Sequence, residues 1–228
     1  MTDKISHVIR SRLQNAGASF KCNDNISEYI TEDELVLLQK EVEDSFQKVL
    51  ESLVIDTTND HNTKESAKRI AKMYCQEIFS GRFKELPKIT DFPNFTKYDG
   101  IYLSGPIPVR SVCAHHFQNI AGSCWVGIFP GDKVIGLSKP NRIVEHICSR
   151  PQIQEELTMQ IADEIEKATN AKGVAIVLKA EHHCMLARGV KAHDSDMTTH
   201  IVRGEFRNNI QLKNEWLTLL STMAGIKN

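Results

Sequence analysis

The spacing of apolar residues changes after the first third of this chain, and that change most constrains its fold. Before Gly81 the apolar residues recur every three or four positions, as at Leu35 and Leu38, which predicts amphipathic helices. Thr31 and Glu34 form a capping-box pattern at the start of the longest one. We expect shorter helices over ISHVIRSRLQNAG and over SAKRIAKMYCQEIFSG, the latter ending at Gly81.

Beyond about residue 100 the spacing becomes that of β-strands. Short alternating runs occur in GIYLSGPIPVRSV, NIAGSCWVGIFPG and KVIGLSK. Two helical segments follow, NRIVEHICSR and QIQEELTMQIADEIEKAT, and then a strand in GVAIVLKAEHHCM and a final strand in HIVRGEF. Helices first, then strands, then two helices and further strands predict an α+β fold with an antiparallel sheet.

Net charge and the lack of long apolar runs argue against two classes of partner. The 228 residues carry a formal net charge of -1, so no bulk basic field attracts nucleic acid. No apolar run approaches the roughly 20 residues that a membrane helix requires, and no early stretch has the apolar core of a signal peptide. We therefore expect a cytoplasmic protein that binds neither nucleic acid nor membrane.

Two of the cysteines lie beside histidines. The chain has six cysteines at uneven intervals, which favours reduced thiols over a disulfide scaffold. Cys113 and His116 form a C-x-x-H pair, a spacing that lets both side chains reach one metal ion. If the strand ending in EHHC stays regular, alternation places His182 and Cys184 on one face.

Together these residues predict a zinc site with an open position, in which Cys113, His116 and Cys184 are the ligands. His115 and His182 are then left as acid and base. Taken alone, the C-x-x-H pair fits a buried cysteine beside a surface histidine equally well.

Cationic and hydroxyl side chains follow the two clusters. Ser138, Lys139 and Arg142 lie at an expected strand-to-helix junction, where backbone N–H groups also meet anions, and Arg188 follows soon after the second cluster. Any one of these cations fits a solvated surface position. Their placement near the expected metal ligands favours a polyanionic substrate such as a nucleotide.

Five blocks of the sequence resemble the GTP cyclohydrolase I family in the same order and at similar spacings. The blocks are KRIAKMYCQEIFSG, VCAHHF, VIGLSKPNRIVEH, RPQIQEELTMQIADEI and EHHCMLARGV. The resemblance extends over roughly residues 35 to 210. It implies a tunnelling (T-fold) antiparallel sheet with paired helices, closed by several subunits into an oligomeric barrel, with a homodecamer as the expected assembly and active sites between subunits. We expect an N-terminal helical region over residues 1–84 and the catalytic domain over residues 85–228.

The resemblance also implies the chemistry. The enzyme would be a zinc-dependent hydrolase converting GTP and water to 7,8-dihydroneopterin triphosphate and formate, the first step of pterin and folate biosynthesis. Cys113, His116 and Cys184 would hold Zn²⁺, and His115 and His182 would transfer protons. Gln154 and Glu155 would contact the guanine edge. The residues expected to hold the triphosphate are Ser138, Lys139, Arg142, Arg188, Arg69 and Lys72.

Three positions depart from the family pattern, and other functions stay open. Ala114 stands where the family commonly has glutamate, Ser66 where proline often opens a helix, and His200 where a small hydroxyl residue is usual. One alternative is a T-fold relative that acts on another purine or pterin, with a cysteine nucleophile, or stops at a ring-opened intermediate. Another is a binding module with structural zinc. A nucleobase deaminase is disfavoured because the P-C-x-x-C signature is absent.

Overall fold

A computed structural model of the chain describes residues 4–192 and 194–224. The chain divides into two compact units, the first ending at Glu85 and the second beginning at Leu86. No helix in the described ranges is long and apolar enough to cross a membrane.

The first unit is helical. Thr31 begins the longest helix with a capping box, because its hydroxyl accepts from the Glu34 N–H and the Glu34 carboxylate accepts from the Thr31 N–H. Ile9, Leu13 and Ile26 form a small buried core. The helices are α1 (Ile5–Asn15), α2 (Glu32–Ser52), α3 (Ser66–Lys72) and α4 (Ser80–Phe83), with a 3₁₀ turn at Ser27–Tyr29 and a π-helical segment at Met73–Ile78.

The helix expected to end at Gly81 is interrupted, which corrects that prediction. α3 ends at Lys72, the π-helical segment follows, and Gly81 lies inside α4. Tyr74 lies in the widened segment and stacks on Phe46 of α2, with ring centroids 5.4 Å apart. A wider helical turn shifts side-chain directions, and here it accompanies an aromatic contact that the apolar spacing did not reveal.

The second unit is built on a five-stranded sheet in the order β5-β2-β3-β6-β7. Neighbouring long strands are antiparallel, whereas the short β5 runs parallel to the end of β2. A separate two-stranded sheet pairs β1 with β4. The strands are β1 (Asp91–Pro93), β2 (Tyr102–Cys113), β3 (Asn119–Phe129), β4 (Lys133–Ile135), β5 (Pro151–Gln152), β6 (Gly173–His182) and β7 (Asp196–Gly204).

Two helices, α5 (Lys139–Cys148) and α6 (Gln154–Thr169), pack on one face of the sheet. Leu157, Ile161 and Ile165 of α6 are fully buried in the same cluster as Ile176 and Leu178 of β6. Burying each such side chain contributes about 1.5–3 kcal/mol to folding. The observed α+β architecture with paired helices on an antiparallel sheet agrees with the expected fold class.

The opposite face of the sheet is partly covered by a helix that the sequence analysis did not predict. After α7 (His183–Leu186) and α8 (Glu205–Asn208), the chain forms α9 (Ile210–Ala224). Phe206 and Trp216 are buried there with Ala175. A Cβ at Gly127 would lie 2.4 Å from the Trp216 indole nitrogen, so this contact requires glycine. The four-residue spacing of apolar side chains in QLKNEWLTLL was the available signal.

Two predicted strand ends are wrong. The strand expected to reach Cys184 ends at His182, and the following residues form α7. The last pairs of β6 join His182 to Ile120 and Glu181 to Asp196, so β6 ends where its neighbours begin. The final strand was expected to include Phe206, but β7 ends at Gly204 with φ 56°, and Phe206 lies in α8.

Candidate active site

Three strand ends meet at one end of the sheet and gather the Cys/His clusters. β2 ends at Cys113, and the antiparallel β3 begins at Asn119 on the same side. β6 is antiparallel to β3 and ends at His182, which pairs with Ile120. We call this region, which contains Cys113, Asn119 and His182, the thiol end of the sheet. Cys113 and His182 are 69 positions apart in the sequence, and the sheet topology brings them to the same end of the sheet.

A tight turn after Cys113 carries the two adjacent histidines. The Cys113 N–H donates to the Gln118 carbonyl at 2.8 Å, and the Phe117 N–H donates back to the Cys113 carbonyl at 2.9 Å. Phe117 adopts φ 51°, which reverses the chain direction. His115 and His116 are exposed on this turn with ring centroids 6.4 Å apart. His115 Nδ1 lies 3.7 Å from the Cys113 sulfur.

Cys184 reaches Cys113 from the short helix α7. Burial raises the pKa of the Cys184 thiol above its ordinary value, and the neighbouring Cys113 raises it further through its charge and a hydrogen bond. The nearby Arg188 opposes this shift. The thiols therefore lie together, although Cys184 arrives on a helical turn rather than on the regular strand that the sequence suggested.

The donor set at the thiol end suits zinc, but its side chains are not arranged as a complete site. The thiols of Cys113 and Cys184 and the imidazole of His116 are groups that zinc prefers as ligands. Over residues 4–192 and 194–224, however, no group of three Cys, His, Asp or Glu side chains stands close enough to hold a metal ion. Cys113 and Cys184 form the core of the candidate site, while His116 is exposed on its turn.

Gln154 lies beneath the site and contacts His182. Its amide oxygen is 2.7 Å from His182 Nε2. Its amide nitrogen donates to the carbonyl oxygens of Leu178 and Met197, at 3.1 and 2.9 Å, and lies 3.1 Å from the Thr199 hydroxyl. The Gln154 side chain is completely buried, so every hydrogen-bonding group of its amide is engaged inside the chain.

Glu155 is the exposed member of the pair expected at the guanine edge. It lies in the first turn of α6 next to the buried Gln154. Burial lowers the pKa of His182 below its ordinary value, and the Glu155 carboxylate opposes that shift by its charge. The two side chains are therefore close enough to interact electrostatically, and Glu155 remains accessible to a ligand.

The expected anion-binding residues Ser138, Lys139 and Arg142 lie at the start of α5, away from the thiol end. Tyr102, the first residue of β2, pairs with Ile128 near the end of β3, and α5 begins soon after that strand. α5 then packs along β2, and Pro151, just beyond its end, pairs with Val112. The start of α5 therefore lies about 15 Å, the length of a ten-residue helix, from the helix end near Val112.

The start of α5 has unused polar groups. Ser138 precedes the helix, and its hydroxyl makes no capping hydrogen bond. Lys139 is half-buried and Arg142 is exposed. Within the described part of the chain neither cation forms an ion pair. Hydroxyl, ammonium and guanidinium groups gathered at one helix start can together hold an anion.

Comparison with known proteins decides the family. The family model for GTP cyclohydrolase I matches residues 42–221. GTP cyclohydrolase 1 of Aeromonas salmonicida is 41% identical over 180 residues, which cover 78% of this chain and 82% of that protein. GTP cyclohydrolase 1 of Flavobacterium johnsoniae is 40% identical over 187 residues, 82% of this chain and 81% of that protein. This chain belongs to the GTP cyclohydrolase I family.

The part of the chain that matches the GTP cyclohydrolase I family includes both units. Arg69 and Lys72 lie in the first unit, both exposed on α3. Their spacing of three residues places them on one side of that helix. The second unit holds the thiol end, with Arg188 near Cys184, and the start of α5.

Two polar residues of this GTP cyclohydrolase I family member were missed by the sequence analysis. Thr158 of α6 donates to the Gln154 carbonyl at 2.8 Å, and its hydroxyl lies 2.6 Å from that of Thr199 on β7. The signal in the sequence was the i, i+4 spacing of Gln154 and Thr158 within an otherwise apolar helical stripe. Which strand lies opposite that stripe is a matter of tertiary structure.

Proposed function

We propose that this chain is a zinc-dependent hydrolase that converts GTP and water to 7,8-dihydroneopterin triphosphate and formate, the first step of pterin and folate biosynthesis. Membership of the GTP cyclohydrolase I family supports the reaction class. The observation that carries the proposal is the convergence of Cys113, Cys184, His182 and Glu155 at one sheet end. Six free cysteines agree with a reducing, cytoplasmic location.

Cys113, His116 and Cys184 are the proposed zinc ligands. The two thiols already stand together, and the His116 side chain on the adjoining exposed turn is the one that must turn toward them. A zinc ion held there supplies Lewis acidity that makes a water molecule nucleophilic near neutral pH.

The other residues at the thiol end bind the base and move protons. Glu155 accepts hydrogen bonds from the N1–H and 2-amino group of guanine, a pair of donors that adenine lacks. His182 gives a proton to N7 as the imidazole ring of the purine opens, and His115 assists a later proton transfer. The buried Gln154 serves this arrangement from below through its contact with His182.

The triphosphate is bound by Ser138, Lys139, Arg142 and Arg188, with Arg69 and Lys72, in a site shared between subunits. Within one chain the start of α5 lies about one ten-residue helix length, about 15 Å, from the helix end near Val112. A neighbouring subunit in a T-fold barrel supplies the missing end, with a homodecamer as the proposed assembly. The edges of β2 and β7 that have no neighbour over most of their described length are available for such closure.

The test is turnover by the purified, zinc-loaded protein. With GTP we expect stoichiometric formate and a pterin that becomes fluorescent on oxidation, and with ATP neither product. Glu155→Gln should raise KM for GTP by about 10-fold or more, because one charged hydrogen-bond acceptor is lost. Glu156→Gln is the matched control on the same helical turn. Absence of formate from GTP, with zinc bound, would overturn the proposed function.

A further inference from the structure

The buried hydrogen bonds around Gln154 determine which nitrogen of His182 carries hydrogen. We propose that Gln154 is a positioning residue that holds neutral His182 in its Nε2–H tautomer, so that Nδ1 is the atom that exchanges a proton with the substrate. The tautomer itself follows from the contacts within the chain. Its catalytic meaning rests on the proposed GTP hydrolysis.

The first step is the orientation of the Gln154 amide. One end of the amide lies 3.1 Å from the Leu178 carbonyl oxygen and 2.9 Å from the Met197 carbonyl oxygen. Both carbonyls belong to paired strands, and a carbonyl oxygen can only accept a hydrogen bond. That end must therefore be the NH₂ group, because an amide oxygen there would face two other acceptors.

The second step follows from the opposite end of the same amide. With its nitrogen directed at the carbonyls, Gln154 presents its oxygen to His182 Nε2 at 2.7 Å. An amide oxygen is only an acceptor, so Nε2 must donate. In neutral imidazole one nitrogen carries the hydrogen and the other accepts, and the partner of one nitrogen sets the tautomer. Nδ1 is therefore the unprotonated nitrogen of neutral His182.

A pair of threonine hydroxyls reinforces the amide. Thr158 donates to the Gln154 main-chain carbonyl at 2.8 Å and accepts from Thr199 at 2.6 Å, which leaves the Thr199 oxygen to accept from the Gln154 NH₂ at 3.1 Å. Gln154 is completely buried and Thr158 is 3% exposed. Water cannot replace these partners, so reversal of the amide would leave several buried groups unpaired.

The consequence concerns the reacting atom. In the described residues Nδ1 of His182 has no hydrogen-bond partner, whereas Nε2 is held by Gln154. Nδ1 is therefore the ring nitrogen that remains available to the substrate, while Nε2–H stays bonded to Gln154. Gln154 thus fixes the orientation of the His182 ring.

The direct test is ¹⁵N NMR of the zinc-loaded protein labelled in its histidines, at a pH where His182 is neutral. The chain has nine histidines, so the His182 signals are assigned by their loss in His182→Ala. We expect a protonated Nε2 and an unprotonated Nδ1. The opposite tautomer in the wild-type protein would overturn the proposal. This readout requires neither a Gln154 variant nor turnover, so it fails independently of the proposed function.

Kinetics test the positioning role. Gln154→Met should give a mixture of tautomers and lower kcat about 10- to 100-fold, with zinc content little changed. Gln152→Met is the matched control, because Gln152 is equally buried and donates to the Ile147 carbonyl at 2.6 Å without contacting His182. It should leave the tautomer unchanged. Wild-type kcat in Gln154→Met, or an equal shift of the tautomer in both variants, would refute the role of Gln154.

Discussion

The thiol end of the sheet and the start of α5, both in the second unit, are built differently. At the thiol end, side chains from three strand ends and from α6 and α7 contact one another, and their pKa values shift because of burial and neighbouring charge. At the start of α5, Lys139 and Arg142 stand without ion pairs in the described residues, and Ser138 makes no capping bond. The first end is assembled within one chain.

Some other cations of the same unit form ion pairs. Arg203 lies 2.6 Å from the Asp163 carboxylate and 2.9 Å from that of Glu166, and Lys179 lies 2.9 Å from that of Asp196. Lys139 and Arg142 lie three positions apart at a helix start without a carboxylate partner in the described residues, which leaves room for an anion. Under the proposed function, the thiol end performs chemistry on a base, while the start of α5 binds phosphates at a neighbour's thiol end.

The largest expected effect is at Cys184. Cys184→Ala removes one of two adjacent thiols, so we expect loss of bound zinc and a fall in turnover of more than about 10³-fold. Zinc content by elemental analysis and formate release are the two measurements. A chelator should inactivate the wild-type protein in the same way, with recovery on zinc addition.

Cys148→Ala is the control for that experiment. Cys148, the last residue of α5, is buried in the core, so its loss should lower stability by roughly 1–2 kcal/mol while zinc remains bound. Zinc retained at full occupancy in Cys184→Ala would remove Cys184 from the ligand set.

His182 should show the next largest effect. His182→Ala deletes the proposed proton donor, and we expect turnover to fall by about 10²- to 10⁴-fold, or a ring-opened formamide to accumulate. Single-turnover analysis of products distinguishes the two. His183→Ala, one residue further on α7, is the control. Pterin formation at the wild-type rate by His182→Ala would show that another group protonates the purine.

These two predictions use residues whose proximity was only partly predictable from the sequence. Alternation correctly indicated a strand in this segment, but that strand was expected to reach Cys184. β6 ends at His182 with its partners, so Cys184 reaches Cys113 through α7 instead. The capping box at Thr31 depends on local contacts and was predictable. The burial of Gln154 depends on β6 and β7 carbonyls opposite α6, which no local pattern encodes.

Arg142 tests whether the two ends belong to different subunits in a working site. Arg142→Ala should raise KM for GTP by roughly 10- to 100-fold through loss of a charged hydrogen bond, with zinc retained. Arg207→Ala, exposed on α8, is the control. Steady-state kinetics at fixed ionic strength measure the effect.

Mixing of subunits then sharpens the comparison. At a GTP concentration far below the raised KM of Arg142→Ala, an exchanged mixture of Arg142→Ala and Cys113→Ser subunits in equal amounts should regain activity at about one quarter of its sites, because each shared site draws its two ends from different chains. Exchange is verified independently with labelled subunits. Proven exchange without recovered activity would mean that one chain supplies both ends of a site.

The smallest expected effect is at Ala114, which stands between the proposed ligand Cys113 and the two histidines. Ala114 is half-buried, and its N–H donates to the Gln152 carbonyl at 3.1 Å, so the backbone there is fixed and a side chain can change without moving it. Ala114→Glu adds a negative charge near groups that lose protons during the reaction. A negative charge favours protonated forms, so the acid limb of the rate against pH should move upward by less than about one pH unit. The matched variant Ala114→Gln has the same size without the charge and should leave the limb in place. Equal profiles for Glu and Gln at this position would mean that the side chain points away from the reacting groups and that the natural alanine has no electrostatic role.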